Sequence, residues 1–249
     1  MMIRTILILL SLMATLPATD AYSRPFQDNE RLKFKIRWGL IPAGEVTIEV
    51  QPCTMIDNLP ADHFVLTART YPVVDLIYKL EERIDSYVYP DTSRSLLYKK
   101  KQTGNSQRDI IVTFDWQQGF VQYSNFGQKD EPIKLLPGTI DPLSALYFIR
   151  QQDLSSEIAI KRPVTDGRKL VMGNASILGR ERLTLYGKTY ETIKLEPDMQ
   201  DVQGVFTKSK DAKMTIWVTA DDRKMLVKLK SKVVVGSFVA ELVEDNYRQ

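Results

Sequence analysis

Few side chains in this sequence are suited to catalytic chemistry. The chain of 249 residues has one histidine, His63, one cysteine, Cys53, and an adjacent acidic pair, Asp221 and Asp222. A hydrolase would need one of these groups as its nucleophile, or a carboxylate pair as its acid and base. No second histidine, CxxC motif, phosphate-binding glycine loop or recognised carboxylate spacing accompanies them. The sequence therefore predicts a protein that is not an enzyme and has no metal or cofactor site.

The charge balance argues against a nucleic-acid binder. The 34 basic residues nearly balance the 31 acidic ones, and the formal net charge is +3. The longest basic run is Lys99-Lys100-Lys101, which alternation divides between two faces of a strand. We interpret this run as a solvated strand end.

The first residues have the features of an export signal. Arg4 precedes an apolar run over Ile6–Leu16, which is shorter than the roughly 20 residues of a membrane span. Cleavage is predicted after Ala21, with Ala18 as the alternative. Cys53 is too far along the chain to be a lipid attachment site, and it has no disulfide partner. We therefore expect a periplasmic protein of a Gram-negative bacterium that is not a lipoprotein and has no integral membrane span after cleavage.

One segment, about 141–150, has both the start signal and the apolar pattern of a helix. Asp141 is suited to cap the first turn, and proline follows it at the first helical position. Leu143, Leu146, Tyr147 and Arg150 then share one stripe, with the arginine placed to complement the helix dipole. Such a helix is only about 15 Å long and needs a surface to cover.

Most of the remaining chain alternates as β-strand does. Arg31–Trp38 places Leu32, Phe34, Ile36 and Trp38 on one face and basic residues on the other. Roughly a dozen such strands predict a single β domain over 22–249. The fold class is all-β and mainly antiparallel: a strongly curved sheet, or an open or incomplete barrel, with the helix on its concave side.

The segments between the strands are less regular. We predict a turn over Gly39–Gly44, a loop over Pro52–Pro60 and a polar loop over Pro197–Lys213. Strands over Lys169–Leu178 and Arg182–Leu185 are expected to be separate. The segment from Tyr71 to Leu80 is predicted to be a short helix or an apolar loop.

Four pieces together resemble a known family. They are Trp38-Gly39 through Ala43-Gly44, the helix from Asp141 to Arg150, the hairpin over Glu181–Leu195, and Trp217 to Arg223 with Val227. This combination resembles a widespread family of exported bacterial proteins built from a domain of unknown function. The family typically has proline before the valine matched by Val227, where this chain has Leu226. The resemblance implies no catalytic residue. A looser similarity, of fold alone, links the predicted sheet to periplasmic lipoprotein carriers.

Two functions follow from this expected fold. In the first, the concavity binds a hydrophobic or amphiphilic envelope component such as an acyl chain. Its wall is predicted to consist of Leu32, Phe34, Ile36, Trp38, Leu146 and Trp217. In the alternative, the core is filled and the protein is an interaction or assembly module whose surface binds another envelope protein. The sequence leaves both open, because the same residues can fill a core or line a pocket.

Overall fold

The computed structural model describes residues 24–155, 159–198, 213–233 and 236–247, and these residues form fifteen strands and two helices. The helices are α1 (Pro72–Asp75) and α2 (Pro142–Gln151). The strands before α2 are β1 (Arg31–Trp38), β2 (Ile41–Ile56), β3 (Leu59–Thr70), β4 (Leu80–Val88), β5 (Ser95–Gly104), β6 (Arg108–Asp115), β7 (Phe120–Asn125), β8 (Gln128–Lys129) and β9 (Ile133–Lys134). The strands after α2 are β10 (Ile160–Thr165), β11 (Leu170–Leu185), β12 (Lys188–Pro197), β13 (Lys213–Thr219), β14 (Leu226–Val233) and β15 (Gly236–Asp245).

All of these strands belong to one antiparallel sheet. Its order is β10-β11-β12-β13-β14-β15-β1-β2-β3-β4-β5-β6-β7-β8, and β9 pairs with β7. The first strand pairs with the last one, which joins the parts of the chain before and after α2. The sheet does not close, since β10 and β8 remain at its two ends. The predicted open, barrel-like antiparallel fold is confirmed.

The alternation in β1 places its residues as the sequence predicts. Leu32 and Phe34 are buried, whereas the basic side chains between them lie on the other face. Lys35 is directly opposite Glu45 of β2, and Lys33 forms an ion pair with Glu45 at 3.1 Å. Opposite charges on neighbouring strands favour this register.

Some predicted turns and loops are parts of strands instead. The predicted turn over Gly39–Gly44 is wrong beyond Leu40, because β2 begins at Ile41. Gly44 is needed within β2, since a Cβ there would lie 2.3 Å from the carbonyl oxygen of Arg69. The predicted loop over Pro52–Pro60 is also wrong. β2 and β3 form a long hairpin whose turn is Asp57-Asn58, with positive φ at both residues.

Other boundaries also differ from the sequence prediction. The two strands predicted between Lys169 and Leu185 are one strand, β11, with a register shift at Gly179. Lys99-Lys100-Lys101 lies within β5 and not at its end. The Tyr71–Leu80 segment contains the one-turn helix α1, which is the first of the two structures predicted for it. The signal segment lies outside the described residues, as does nearly all of the predicted loop over Pro197–Lys213.

The apolar side chains of the sheet form three clusters, and α2 packs between two of them. Leu143 and Tyr147 lie in a cluster with Phe64 of β3 and Val88 of β4. Leu146 and Ile149 pack against the larger cluster formed by β1, β2 and β12 to β15. The helix therefore covers the concave face, as predicted.

Candidate ligand site

A buried carboxylate holds the N-terminal end of α2. Asp141 is fully buried, and its Oδ1 accepts hydrogen bonds from the backbone N–H groups of Leu143 and Ser144 at 3.0 Å. Its Oδ2 accepts hydrogen bonds from the hydroxyl groups of Ser86, Ser95 and Ser144 at 2.5–2.7 Å. These donors and the positive end of the helix dipole stabilise the buried charge. The predicted cap is confirmed.

A buried ion pair holds the C-terminal end of α2. Arg150 donates from Nη1 and Nη2 to the two carboxylate oxygens of Glu30 at 2.5 and 2.9 Å, and these side chains are 3% and 0% exposed. Nη2 also donates to the Tyr247 hydroxyl and to the carbonyl oxygens of Pro25 and Arg223. Arg150 therefore joins the helix to the first described residues, to the β13–β14 turn and to the last described residues.

The contact between α2 and the sheet is almost completely filled. The Tyr147 ring stacks on Phe64 with their centroids 3.7 Å apart. Burial raises the pKa of the Tyr147 hydroxyl, which has no hydrogen-bond partner among the described residues. A void of about 10 Å³ remains under the helix, enough for about one water molecule. Its lining is Ile48, Leu146, Tyr147, Ile149, Arg150, Ile216, Val218 and Leu226.

Five of the six residues predicted to line a cavity lie in or against the larger core cluster. They are Leu32, Phe34, Ile36, Leu146 and Trp217. Of these, Leu146 borders the void, and the first two are buried within the cluster. Trp38, at the end of β1, stacks on Phe238 with a centroid distance of 6.2 Å.

Trp217 is 6% exposed and belongs to the larger core cluster, but it lies on the other face of the sheet, in one row with Lys194, Lys228 and Glu241. Its neighbours in β13 both border the void under α2, and successive side chains of a strand alternate between faces. Trp217 pairs across the sheet with Lys194 and Lys228, whose ammonium groups lie 5.4 and 5.6 Å from its ring centroid. Its Nε1 donates to Glu181 at 3.0 Å. The structure therefore separates Trp217 from the concave face.

A groove of about 520 Å³ opens at the C-terminal end of α2. It lies between the first described residues, the helix end, the β13–β14 turn and Tyr247. Among the described residues, its charged lining comprises Arg24, Arg150, Arg223, Lys224 and Asp222. The groove is therefore predominantly cationic, and Arg150 borders both the groove and the apolar void.

The cations of the groove differ in how far they are neutralised. Arg24 pairs with Asp62 at 2.5 Å, and burial still raises the pKa of that carboxyl group. Lys224 instead donates from Nζ to the carbonyl oxygen of Gln152 at 2.6 Å. A carbonyl group carries no net charge, so Lys224 is neutralised only in part, by its interaction with the nearby carboxylate of Asp153.

The residues considered for catalysis do not form one site. His63 bonds through Nε2 to Asp85 at 2.9 Å and stacks on Tyr87. Cys53 is exposed on β2, and neither it nor His63 borders the groove or the void. Asp221 lies in the β13–β14 turn, where bonds from neighbouring side chains lower its pKa although burial opposes this. In the part of the chain that the structure describes, no group of three or more His, Cys, Asp or Glu side chains is placed to hold a metal ion.

Comparison with protein-family models matches residues 33–243 to the family described as a protein of unknown function, DUF3108. The chain belongs to the DUF3108 family. This confirms the resemblance recognised in the sequence. No curated protein matches this DUF3108 chain. Within the described residues, no helix is both long and apolar enough to cross a membrane.

The solved structures that are similar to the DUF3108 chain include the following two. A beta-barrel-like protein of the domain of unknown function DUF1849 from Brucella abortus is 10% identical. It covers 91% of this chain and 100% of its own length, with a TM-score of 0.57. The lipoprotein LppX of Mycobacterium tuberculosis is 13% identical and covers 89% and 88%, with a TM-score of 0.27. Only the first match bears on the fold. Neither structure is described as an enzyme.

Leu226, where the resemblance implies a proline in other family members, lies beside the void. Leu226 pairs with Val218, and a register shift separates this pair from that of Trp217 and Lys228. Proline is tolerated at bulges, because no ladder hydrogen bond is required there. The leucine found here is buried instead and contributes to the void lining.

Proposed function

We propose that this protein binds an amphiphilic envelope component at the C-terminal end of α2. The observation that carries the proposal is the cationic groove of about 520 Å³, which meets the apolar void at Arg150. Its volume is within the range of about 300–1,000 Å³ that is usual for small-molecule sites. A negatively charged head would bind in the groove near Lys224, and an acyl chain would extend under the helix.

Binding of an acyl chain requires the end of α2 to move. The void of about 10 Å³ cannot hold such a chain, because it has room for about one water molecule. Displacement of α2 would uncover the apolar face of the sheet, with Leu32, Phe34, Ile36 and Leu146 at the chain. An anionic head that attracts the guanidinium of Arg150 away from Glu30 would favour this movement.

The proposal includes export to the periplasm with cleavage after Ala21 or Ala18. The apolar segment before these residues supports it. Cell fractionation followed by intact-mass measurement of the purified protein tests it. A periplasmic product starting at residue 22 or 19 is expected, and an uncleaved cytoplasmic product would contradict export.

Lipid binding is tested with protein purified from the periplasm. Native mass spectrometry should detect a co-purifying lipid, and a dansyl-labelled fatty acid should bind to the delipidated protein. Lys224→Glu should weaken binding of this probe about tenfold and leave binding of its uncharged methyl ester unchanged, as expected for loss of one charge contact. Lys134→Glu is the matched control, since Lys134 is an exposed lysine outside the groove. Leu146→Trp, which fills the void, should weaken both probes.

A second function is favoured by the small size of the void. A filled concave face is what an envelope interaction module would have, with its outer surface or strand edges binding a protein partner. If no lipid is extracted and neither probe binds, ligand binding is refuted and the interaction module remains.

A further inference from the structure

One end of the sheet exposes an unusual concentration of large apolar side chains. Leu40 is 93% exposed, Leu76 87% and Ile77 74%. We call the whole set the apolar end patch; its members are Leu40, Ile41, Val73, Leu76, Ile77 and Tyr78. Single exposed hydrophobic residues are common on soluble proteins, but a contiguous group marks an interaction surface.

The two segments of the patch lie side by side. The chain after β3 contacts the start of β2, since the N–H of Tyr71 donates to the carbonyl oxygen of Ala43 at 3.0 Å. Gly44 and Thr70 are paired at this end of the two strands. The patch is therefore one surface formed by the β1–β2 turn and the segment of α1.

The segment of α1 is held so that its apolar residues project outwards. The hydroxyl of Thr70 donates to Asp75 at 2.5 Å, within α1. Beyond the helix, the N–H of Lys79 donates to Asn105 Oδ1 at 2.7 Å, and the N–H of Asn105 donates to the carbonyl oxygen of Lys79 at 3.0 Å. No residue of α1 is buried, so the sheet does not use these side chains as core.

Three exposed cations at this end have no ion-pair partner among the described residues. Lys101 and Arg108 flank the β5–β6 turn that contacts Lys79, and both are exposed. Lys232 pairs with Ser237, whose carbonyl oxygen accepts the N–H of Gly39 next to Leu40. Among the described residues, none of these three cations is in an ion pair with an acidic side chain. Asp109 opposite Lys101, Asp75 within α1 and Glu81 paired with Lys79 offset part of the charge.

We propose that the apolar end patch inserts into the surface of a lipid bilayer with anionic headgroups. Projecting apolar side chains suit the headgroup–acyl boundary, and surrounding lysine and arginine residues complement anionic lipid. The patch is distinct from the groove. Asp62 contacts Arg24 of the groove, whereas Thr70 contacts α1, and these β3 residues are about 26 Å apart at about 3.3 Å per residue. The inference does not depend on lipid binding under α2.

The test is co-sedimentation of the protein with vesicles of phosphatidylcholine and phosphatidylglycerol at equal proportions. Leu76→Ser with Ile77→Ser should weaken partitioning at least tenfold, because two apolar side chains no longer insert. Leu178→Ser with Met172→Ser is the matched control: these residues are about half exposed on β11, and their removal should leave partitioning unchanged. Lys101→Glu with Arg108→Glu should weaken partitioning about tenfold or more, and vesicles of phosphatidylcholine alone should bind less protein.

Three results would overturn the inference. They are no partitioning of the wild type, equal loss in both serine pairs, and partitioning that does not depend on anionic lipid. Concentration-dependent self-association that Leu76→Ser with Ile77→Ser abolishes, without vesicle binding, would assign the patch to a second copy of the chain instead. All patch variants should keep the wild-type thermal midpoint, since the replaced side chains are exposed.

Discussion

Replacing Arg150 with methionine should strongly destabilise the fold. Methionine keeps much of the aliphatic length but leaves Glu30, whose side chain is 0% exposed, without its cation. Removing one member of a buried ion pair typically costs about 3–5 kcal/mol. The loss also releases the carbonyl oxygens of Pro25 and Arg223 and the hydroxyl of Tyr247 from their shared donor. We therefore expect an effect within this range.

Urea unfolding monitored by tryptophan fluorescence measures this effect. With a slope of about 3 kcal/mol per molar urea, the midpoint of Arg150→Met should fall by about 1–1.7 M. Glu30→Met should behave similarly, and the double variant should lose less than the sum of the two, with a coupling energy of about 1–3 kcal/mol. Arg182→Met is the matched control. It removes an ion pair with Glu191 whose side chains are 72% and 59% exposed, and it should cost less than about 1 kcal/mol.

If Arg150→Met lowers the midpoint no more than Arg182→Met does, the buried ion pair does not stabilise the fold as expected. Strict additivity of Arg150→Met and Glu30→Met would also refute this expectation, because the two groups would then not stabilise each other. If the slope of unfolding free energy against urea concentration changes in a single variant, unfolding is no longer two-state. The stabilities of the variants would then be compared through the temperature dependence of amide hydrogen exchange in α2.

Three further predictions concern the same fold. Asp141→Ala should lower the free energy of unfolding by about 2–4 kcal/mol, because buried serine hydroxyl groups lose their acceptor. Asp141→Asn should lower it less, and equal losses for the two variants in urea unfolding would contradict this prediction. Leu143→Ala should lower the free energy of unfolding by about 2–5 kcal/mol, and Leu146→Ala should lower it less, because Leu143 is buried and Leu146 is only partly buried beside the void. The reverse order of the two losses would contradict this packing. Burial alone would raise the pKa of Asp85, but bonds from Arg83 and His63 lower it below its ordinary value of about 4. The ionised carboxylate therefore stabilises the fold above that pH, and this stabilisation is lost as the pH falls. The stability difference between the wild type and Asp85→Asn should therefore narrow from pH 5 to pH 2 in urea titrations, and a constant difference would contradict it.

Local patterns were sufficient for much of the fold. Alternation identified β1 with its correct bounds, since a strand with one buried face repeats every two residues. Asp141 and the proline after it identified the start of α2, because capping depends on a few adjacent residues. Turn residues were less informative: Pro42 and Gly44 suggested a turn, but pairing with β3 keeps both in β2.

The candidate site could not be predicted from local sequence patterns. Arg150 belonged to the apolar stripe of α2, and its position was attributed to the helix dipole. An arginine on a buried stripe signals a buried acidic partner, but that partner, Glu30, lies 120 residues away and has no distinguishing local pattern. The groove could not be predicted for the same reason, because residues from opposite ends of the described chain form it.

Strand periodicity, the capped helix and the family could all be recognised from local residue patterns. Which faces pack together became evident only from the folded chain. It placed Trp217 on the face opposite α2, filled the concavity down to a void of about 10 Å³, and left Leu76 and Ile77 exposed at the end of the sheet. The physical reason is that periodicity records which side chains share a face, whereas the element that covers this face comes from a distant part of the chain.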